Sequence, residues 1–307
     1  MAWDYLDEDK KGGGNRNALA YGLLQGAGIN TAGLSPGDAW ELVSQLNLME
    51  SKRWKRTEED KRDIKKKNDD LNQRGVTTES LERDARKHAN KADFRGVSNL
   101  SAVAESIDTV NDISEKYSLR NLDMLRKRNL SRGTMASANG TLVNVGTRIL
   151  RNPNAAYRIC VRDFQDQTQQ SIADIQQRLS TATDPKIQTS LQQRLQRAKE
   201  DAKYSRHNVV YQGDEIKSVV THEMGHVIAD QLHGFVNSPL SRGASGKNKI
   251  LVDCFEESKR NGDIYKISAY AAQDADEFFA EAFTIYHMGR EKLPPKIESM
   301  VKEMLRR

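Results

Sequence analysis

Residues 221–234, THEMGHVIADQLHG, place two histidines four positions apart, His222 and His226, with Glu223 beside the first. On an α-helix, side chains four apart lie one turn over the other, so both imidazoles face one point. That bite suits a tetrahedral divalent cation, Zn2+ above all, at about 2.0–2.1 Å from each nitrogen. Glu223 is a quarter-turn round, badly placed to join as a ligand but well placed to take a proton from activated water, the HExxH arrangement. The competing account of the same residues is a partly buried helix carrying two satisfied histidines. A third ligand decides between them.

Three downstream patterns can supply that ligand. A metzincin needs Gly three residues after His226 and a ligand three further on; Ala229 and Leu232 stand there, and His233 comes one position late. An inverted HxxEH motif is absent. A gluzincin needs a glutamate from a second helix, and SAYAAQDADEFFAEAFTIYHMG (268–289) offers one. Asp274 can cap that helix, Phe278, Phe279, Ala282 and Phe283 form its core face, and Glu277 and Glu281 share another face. An apolar, aromatic helix with two glutamates on one side must solvate or pair them, and a cation meets that need. His88 and His287 are expected to be unrelated to the metal.

The elements that must position these residues follow from periodicity. GDEIKSVVTHEMGHVIADQLHG (213–234) reads as one helix, with Asp214 and Glu215 suiting its first turn, Gly234 its end, and Ile216, Val219, Val220, Val227 and Ile228 its buried stripe. NLSAVAESIDTVNDISEKY predicts an amphipathic helix with Leu100, Val103, Ile107, Val110 and Ile113 in line. Asn139-Gly140, between two short apolar-rich runs, predicts a hairpin with a type I′ turn. Residues 162–204 predict a helical hairpin, with Ile172, Ile175 and Leu179 on one seam, Ile187, Leu191 and Leu195 on the other, and TATDP as the break. Such a seam packs on the body or on another subunit. The last helix, PPKIESMVKEMLRR, should pack through Ile297, Val301 and Met304.

The N-terminal part is harder to read. Residues 1–38 are rich in Gly and Asn and look flexible, and a short helix is expected after Pro36 and Gly37, through Ala39, Leu42, Val43 and Leu46. The run SKRWKRTEEDKRDIKKKNDD is read as a solvated helix or linker in preference to a phosphate-contacting patch. A net charge of +5 permits nucleic-acid contact but does not demand it. The chain is rather polar, 37% hydrophobic and 30% charged, and no apolar run approaches the roughly 18–20 residues that span a bilayer. The stretch MAWDYLDEDKKGGGNRN lacks the apolar core of a secretory signal. A membrane location is therefore not expected, and a cytoplasmic one is. Cys160 and Cys254 form no CxxC pair, and two free thiols are the expectation.

HEMGHVIAD followed by SAYAAQDADEFFAEAF resembles the zinc peptidase domain of anthrax lethal factor and its relatives, a fold also attached to phage minor head or head-morphogenesis proteins. The similarity is concentrated in 219–230 and 268–287, and RGTMASANGTLVNVG resembles the hairpin preceding the active-site helix in those domains. The resemblance implies zinc ligands His222, His226 and Glu277, Glu223 as general base, and Tyr270 as the phenol that stabilises an oxyanion. Asp230 and Glu281 become candidates to accept the outer N–H of a ligand histidine. The strand Thr134, Met135, Ala136, Ser137 and Ala138 becomes the edge along which an extended peptide substrate could pair.

The resulting expectation is an α+β, mainly helical zincin-like domain over 93–307, with a small β-hairpin or sheet and an inserted helical hairpin at 162–204, preceded by a helical, partly flexible, charged region over 1–92. Its expected activity is zinc-dependent peptide hydrolysis. The alternative is a structural or packaged component of a phage-like particle, using the fold as a binding module and associating with phage structural proteins, or with itself through 162–204. The resemblance implies a bacterial-host cytoplasm or a virion as the location.

Overall fold

The computed structural model describes residues 54–130, 134–233 and 247–306. The helix expected after Pro36 and Gly37, the expected flexibility of 1–38 and the terminating role of Gly234 lie outside the described residues. The chain is mainly helical with one small mixed sheet, an α+β fold. None of the described helices is long and apolar enough to cross a membrane.

The charged run becomes helix α1 (Glu58–Gln73), followed by α2 (Thr78–Ala85). Each starts at a threonine, Thr57 or Thr77, that forms a reciprocal capping box with the residue three positions on. Lys61, Lys65 and Lys67 of α1 pair with Glu58, Asp69 and Asp63 of the same helix, which neutralises three of the basic residues of the run. Strand β1 (Ala92–Asp93) leads into α3 (Leu100–Lys116), whose Val103, Ile107, Val110 and Ile113 are buried in line as the periodicity demanded. Then come β2 (Met124–Arg128), β3 (Ala136–Asn139) and β4 (Leu142–Gly146).

The sheet order is β1-β2-β4-β3, parallel between β1 and β2 and between β2 and β4, antiparallel between β4 and β3. The hairpin forms, but its turn differs from the expected one. Asn139 pairs with Leu142, so the loop is Gly140-Thr141, and only Gly140 has positive φ, at 58°. One left-handed residue at the first central position is the type II′ pattern; type I′ would require two.

Two short helices, α4 (Thr147–Arg151) and α5 (Asn154–Tyr157), and a π-helical turn (Arg158–Arg162) precede the long helices α6 (Phe164–Thr181) and α7 (Pro185–Asp201). Pro185 occupies the first position of α7, where its missing N–H costs nothing, and Asp184 accepts from the Lys186 N–H at 2.7 Å. Beyond lie α8 (Glu215–His233), α9 (Lys247–Asn261), α10 (Ala275–Met288) and α11 (Pro295–Leu305). Helix α11 buries Ile297, Val301 and Met304, as its spacing predicts. Both Cys160 and Cys254 are buried free thiols.

The chain divides into two compact units. The smaller includes Gln167–Glu200, which spans most of α6 and α7. The larger comprises Arg56–Leu130, Thr134–Asp166 and the chain from Asp201 onward. The expected boundary at 92/93 is therefore corrected: it falls inside the larger unit, and residues 56–92 belong to the same body as α3 and the sheet. The reason is that α1 and α2 pack on α3, with Ile64, Leu81, Ala85 and Ala89 buried, and that a set of polar ties joins the same segments. The Arg56 guanidinium donates to the Arg151 carbonyl at 2.6 and 2.8 Å, and the Phe94 N–H donates to Glu82 at 2.7 Å. The Asn90 N–H donates to the Leu122 carbonyl at 2.7 Å, and the Leu122 N–H donates to the His88 carbonyl at 2.8 Å.

Asp60 is the strongest of these ties. Its side chain is buried and accepts from the Thr57 N–H at 2.9 Å, Asn154 at 2.9 Å, Asn152 at 3.3 Å and Arg158 at 3.0 Å. Burial pushes this carboxyl up, but the Arg158 guanidinium and the Thr57 and Asn154 amides outweigh it and hold the value at about 2, below the ordinary 3.8. A depressed folded-state value stabilises the fold above about pH 4 and loses that stabilisation as pH falls through about 2. Asp60→Asn should lower unfolding stability by roughly 2 kcal/mol at pH 7, and the deficit should shrink steadily as urea unfolding is repeated toward pH 2.

Candidate metal centre

Helix α8 is the centre of the larger unit, packed against α3, α10 and β3. Ile216, Val220, Met224, Val227 and Ile228 bury its apolar sides, and Ser218 and Thr221 are buried as well. The polar break in this surface is His222, Glu223 and His226, of which the two histidines face α10. Helix α10 starts at Asp274, whose side chain accepts from the Glu277 N–H at 2.9 Å. That cap fixes the first turn and with it the position of Glu277. Phe278, Phe279, Ala280, Ala282 and Phe283 are fully buried behind it.

Gly225 sets the separation of the two helices. A Cβ there would meet Ala280 Cα at 3.0 Å, Ala280 Cβ at 3.3 Å and Phe283 Cδ1 at 3.3 Å. At this close crossing three donor atoms converge. His222 Nε2 lies 3.0 Å from Glu277 Oε2, His226 Nε2 lies 3.3 Å from the same oxygen, and the two nitrogens are 3.2 Å apart. Ligands held about 2.0–2.1 Å from a tetrahedral ion lie roughly 3.3 Å from one another, so the observed triangle fits three corners of such a site. Glu277 Oε2 is buried with no hydrogen-bond partner, as a ligand oxygen would be. Among the described residues, His222, His226 and Glu277 are the group of three that can hold a metal ion.

Glu281, one turn beyond Glu277, stands behind His222. Its Oε1 lies 2.9 Å from His222 Nδ1, close in distance though short of a well-aligned hydrogen bond. Its Oε2 accepts from the Val209 N–H at 2.7 Å and the Ser268 hydroxyl at 2.6 Å. A carboxylate at Nδ1 favours a proton there and leaves Nε2 with a free electron pair, available beside the Glu277 oxygen for a shared cation.

Asp230 does not take the place expected for it. It accepts from the Gly140 N–H at 2.9 Å and so pins the β3–β4 turn to α8, with no bond to His226. The turn passes over this end of the helix and brings an amide that the sheet leaves unpaired. One helical repeat pair earlier, the Ala138 N–H reaches the Glu223 carboxylate. Strand β3 is an edge strand of the sheet. Gly146 donates to the Met135 carbonyl at 2.8 Å, and the alternation from that pair leaves the N–H and C=O groups of Ala136 and Ala138 pointing off the free edge. Thr134, Ala136, Ser137 and Ala138 line a cavity of about 370 Å³ together with His222, Glu223, His226, Tyr270 and Glu277. Met135 belongs to the same strand approach but is not among the lining residues.

Tyr270 sits in a short 3-10 turn (Tyr270–Ala272), its ring 5.7 Å from that of His222. Its N–H donates to the His207 carbonyl at 2.8 Å, and the Ala269 N–H to the Arg206 carbonyl at 3.0 Å, so residues 206–207 brace the turn. Burial, then the Glu277 carboxylate, push the phenol above its ordinary range, and it remains protonated. Burial also raises Glu223 against the lowering influence of His222 and His226. For His222 burial acts downward, but Glu277 and Glu281 prevail and lift it well above its usual value; His226 is raised through Glu277 in the same way. Glu277 is held low by the two imidazoles despite its burial. Three carboxylates around two imidazoles demand positive charge, which protons or a divalent cation can supply.

Several residues here carried no sequence signal. Ser268 and Val209 hold Glu281, and Asp276 lines the cavity with a buried Oδ1 that has no hydrogen-bond partner. Burial lifts the Asp276 carboxyl to about 6. His287 lies apart from the centre, 3.4 Å from Asp112 and lowered to about 4 chiefly by burial. His88 is in a turn after α2, also away from it.

Comparison of the chain with protein-family models, curated proteins and solved structures gives no match in any of the three. The site stands on its own geometry.

Gly225→Ala tests the helix crossing. In an exposed helix this change gains up to about 1 kcal/mol of propensity. Here the new methyl meets backbone and a packed ring, so a net loss of about 1–2 kcal/mol is expected, read as a lower thermal midpoint.

Proposed function

We propose that this protein is a zinc-dependent peptidase of the HExxH type with a glutamate third ligand, as in the lethal-factor-like domains that its motifs resemble. The observation that carries the proposal is the triangle of His222 Nε2, His226 Nε2 and Glu277 Oε2, with edges of 3.0–3.3 Å, opening into the cavity beside a free strand edge. Zinc held by these three residues would polarise a substrate carbonyl and acidify water at the site.

The remaining chemistry belongs to the chain's own groups. Glu223 is buried, raised by that burial, and oriented by the Ala138 amide. A carboxylate so placed can take a proton from water and return it to the leaving amine. Tyr270 keeps its proton and offers a neutral donor to negative charge developing on the carbonyl oxygen. Support for a peptide as the substrate comes from β3. An extended chain laid antiparallel or parallel to this edge can bond to the outward groups of Ala136 and to the Ala138 carbonyl, as β-augmentation requires.

Elemental analysis of the purified protein should find about one zinc per chain, and much less in Glu277→Ala. Glu223→Gln should retain the zinc and lose hydrolysis of an unstructured protein such as casein by at least about 100-fold. Retained turnover in that variant, or a folded wild type that takes up no zinc when it is supplied, would refute the proposal.

A further inference from the structure

Ser268 is fully buried, and its hydroxyl makes two bonds that join separate parts of the site. It donates to Glu281 Oε2 at 2.6 Å and accepts from the Ala271 N–H at 3.0 Å. The second bond holds the 3-10 turn that carries Tyr270. The first holds the carboxylate whose other oxygen faces His222 Nδ1 at 2.9 Å. A serine hydroxyl has a single proton. The bond to Glu281 uses it, which directs a lone pair toward Ala271 and makes the two bonds mutually dependent.

We infer that Ser268 is a positioning residue that couples the Tyr270 turn to the orientation and tautomer of His222 by way of Glu281, an inference that rests on the zinc-peptidase proposal above. Glu281 Oε2 has two donors, Val209 N–H and Ser268 Oγ. Together they set the plane of the carboxylate, so that Oε1 presents to the imidazole. With one donor gone from a site that Glu281 leaves only 1% exposed, the carboxylate is free to rotate about the remaining bond, and His222 loses its fixed partner. The turn itself does not depend on Ser268 alone, because residues 269 and 270 also bond to the carbonyls of Arg206 and His207. Loss of the hydroxyl is therefore felt in the alignment of the ligand before it is felt in the fold.

Zinc affinity of the full-length chain, measured by competition with a chromophoric chelator, tests this. Ser268→Ala should bind zinc about tenfold or more weakly than wild type, the scale of other partners of ligand histidines. The double variant Ser268→Ala/Glu281→Gln should bind no more weakly than Glu281→Gln alone, since the serine acts through that carboxylate. Losses that add in the double variant would mean that Ser268 acts through packing and would overturn the inference, as would unchanged affinity in folded Ser268→Ala. If Ser268→Ala does not fold, Ser268→Cys keeps nearly the same volume with a weak donor and should show the same loss; unchanged affinity there is equally fatal. A folded wild type that binds no zinc removes the peptidase proposal and this inference together. Wild-type binding with unaffected variants removes only the inference.

Discussion

The crossing of α8 and α10 at Gly225 and Ala280 is the constraint around which the larger unit is organised. Two helices that each bury a wide apolar surface are drawn together by that burial. The missing side chain at 225 lets their backbones come close enough for a histidine on one to touch a glutamate on the other. The result is a concentration of charge inside the protein: Glu223, Glu277 and Glu281 with His222 and His226. Isolated buried charges are costly, so such a set persists only when its members compensate one another or share a cation. His222 meets Glu277 and Glu281 across the crossing, His226 meets Glu277, Glu223 takes the Ala138 amide of β3, and the apolar rings of Phe278, Phe279 and Phe283 close it from behind.

The sheet and the loops serve the same crossing from the other side. Helix α8 presents Glu223 and Asp230, seven residues apart and so on one face, and each takes a backbone N–H from the β3 hairpin. The edge strand is thereby held at a fixed height along the helix that carries the histidines. A polar row, Arg126 to Asn144 to Ser137, ties β3 back through β4 to β2 on the other face of the sheet. Opposite the strand, residues 206–209 and 267–270 are joined by backbone bonds, and between them they supply Tyr270, Ser268 and the Val209 amide. The cavity is thus walled by a strand edge, two helices and one braced turn.

Away from the cavity the physics is more ordinary. Helix α1 is mostly exposed and charged, yet it is fastened at its first turn by Asp60 and by buried Ile64. Its ion pairs within the helix are exposed and contribute little each, of the order of a few tenths of a kcal/mol. The anchoring comes from the buried carboxylate, where one acceptor gathers donors from the α4–α5 segment.

The sequence by itself determined the parts governed by local periodicity and by spacing within one element. The helix carrying HExxH, the capped helix carrying Glu277 and Glu281, the stripe of α3, the hairpin near Asn139-Gly140 and the two helices beyond residue 162 are all legible because helix and strand repeats put chosen residues on one face. The proximity of His222 and His226 follows from the same rule. Only the tertiary structure decided which carboxylate meets which imidazole. Asp230 and Glu281 look equivalent along the chain, one turn beyond a candidate ligand each, but the β-turn amide lies against the first and an imidazole against the second. The boundary expected at 92/93 falls inside the larger unit because residues 56–92 join the body through buried Ile64, Leu81, Ala85 and Ala89 and through hydrogen bonds at Arg56, Asp60 and Glu82, long-range pairings that leave no trace in composition. Ser268, Val209 and Asp276 were invisible for the same reason: a serine, an amide and one more acid acquire their roles only from what the fold sets beside them.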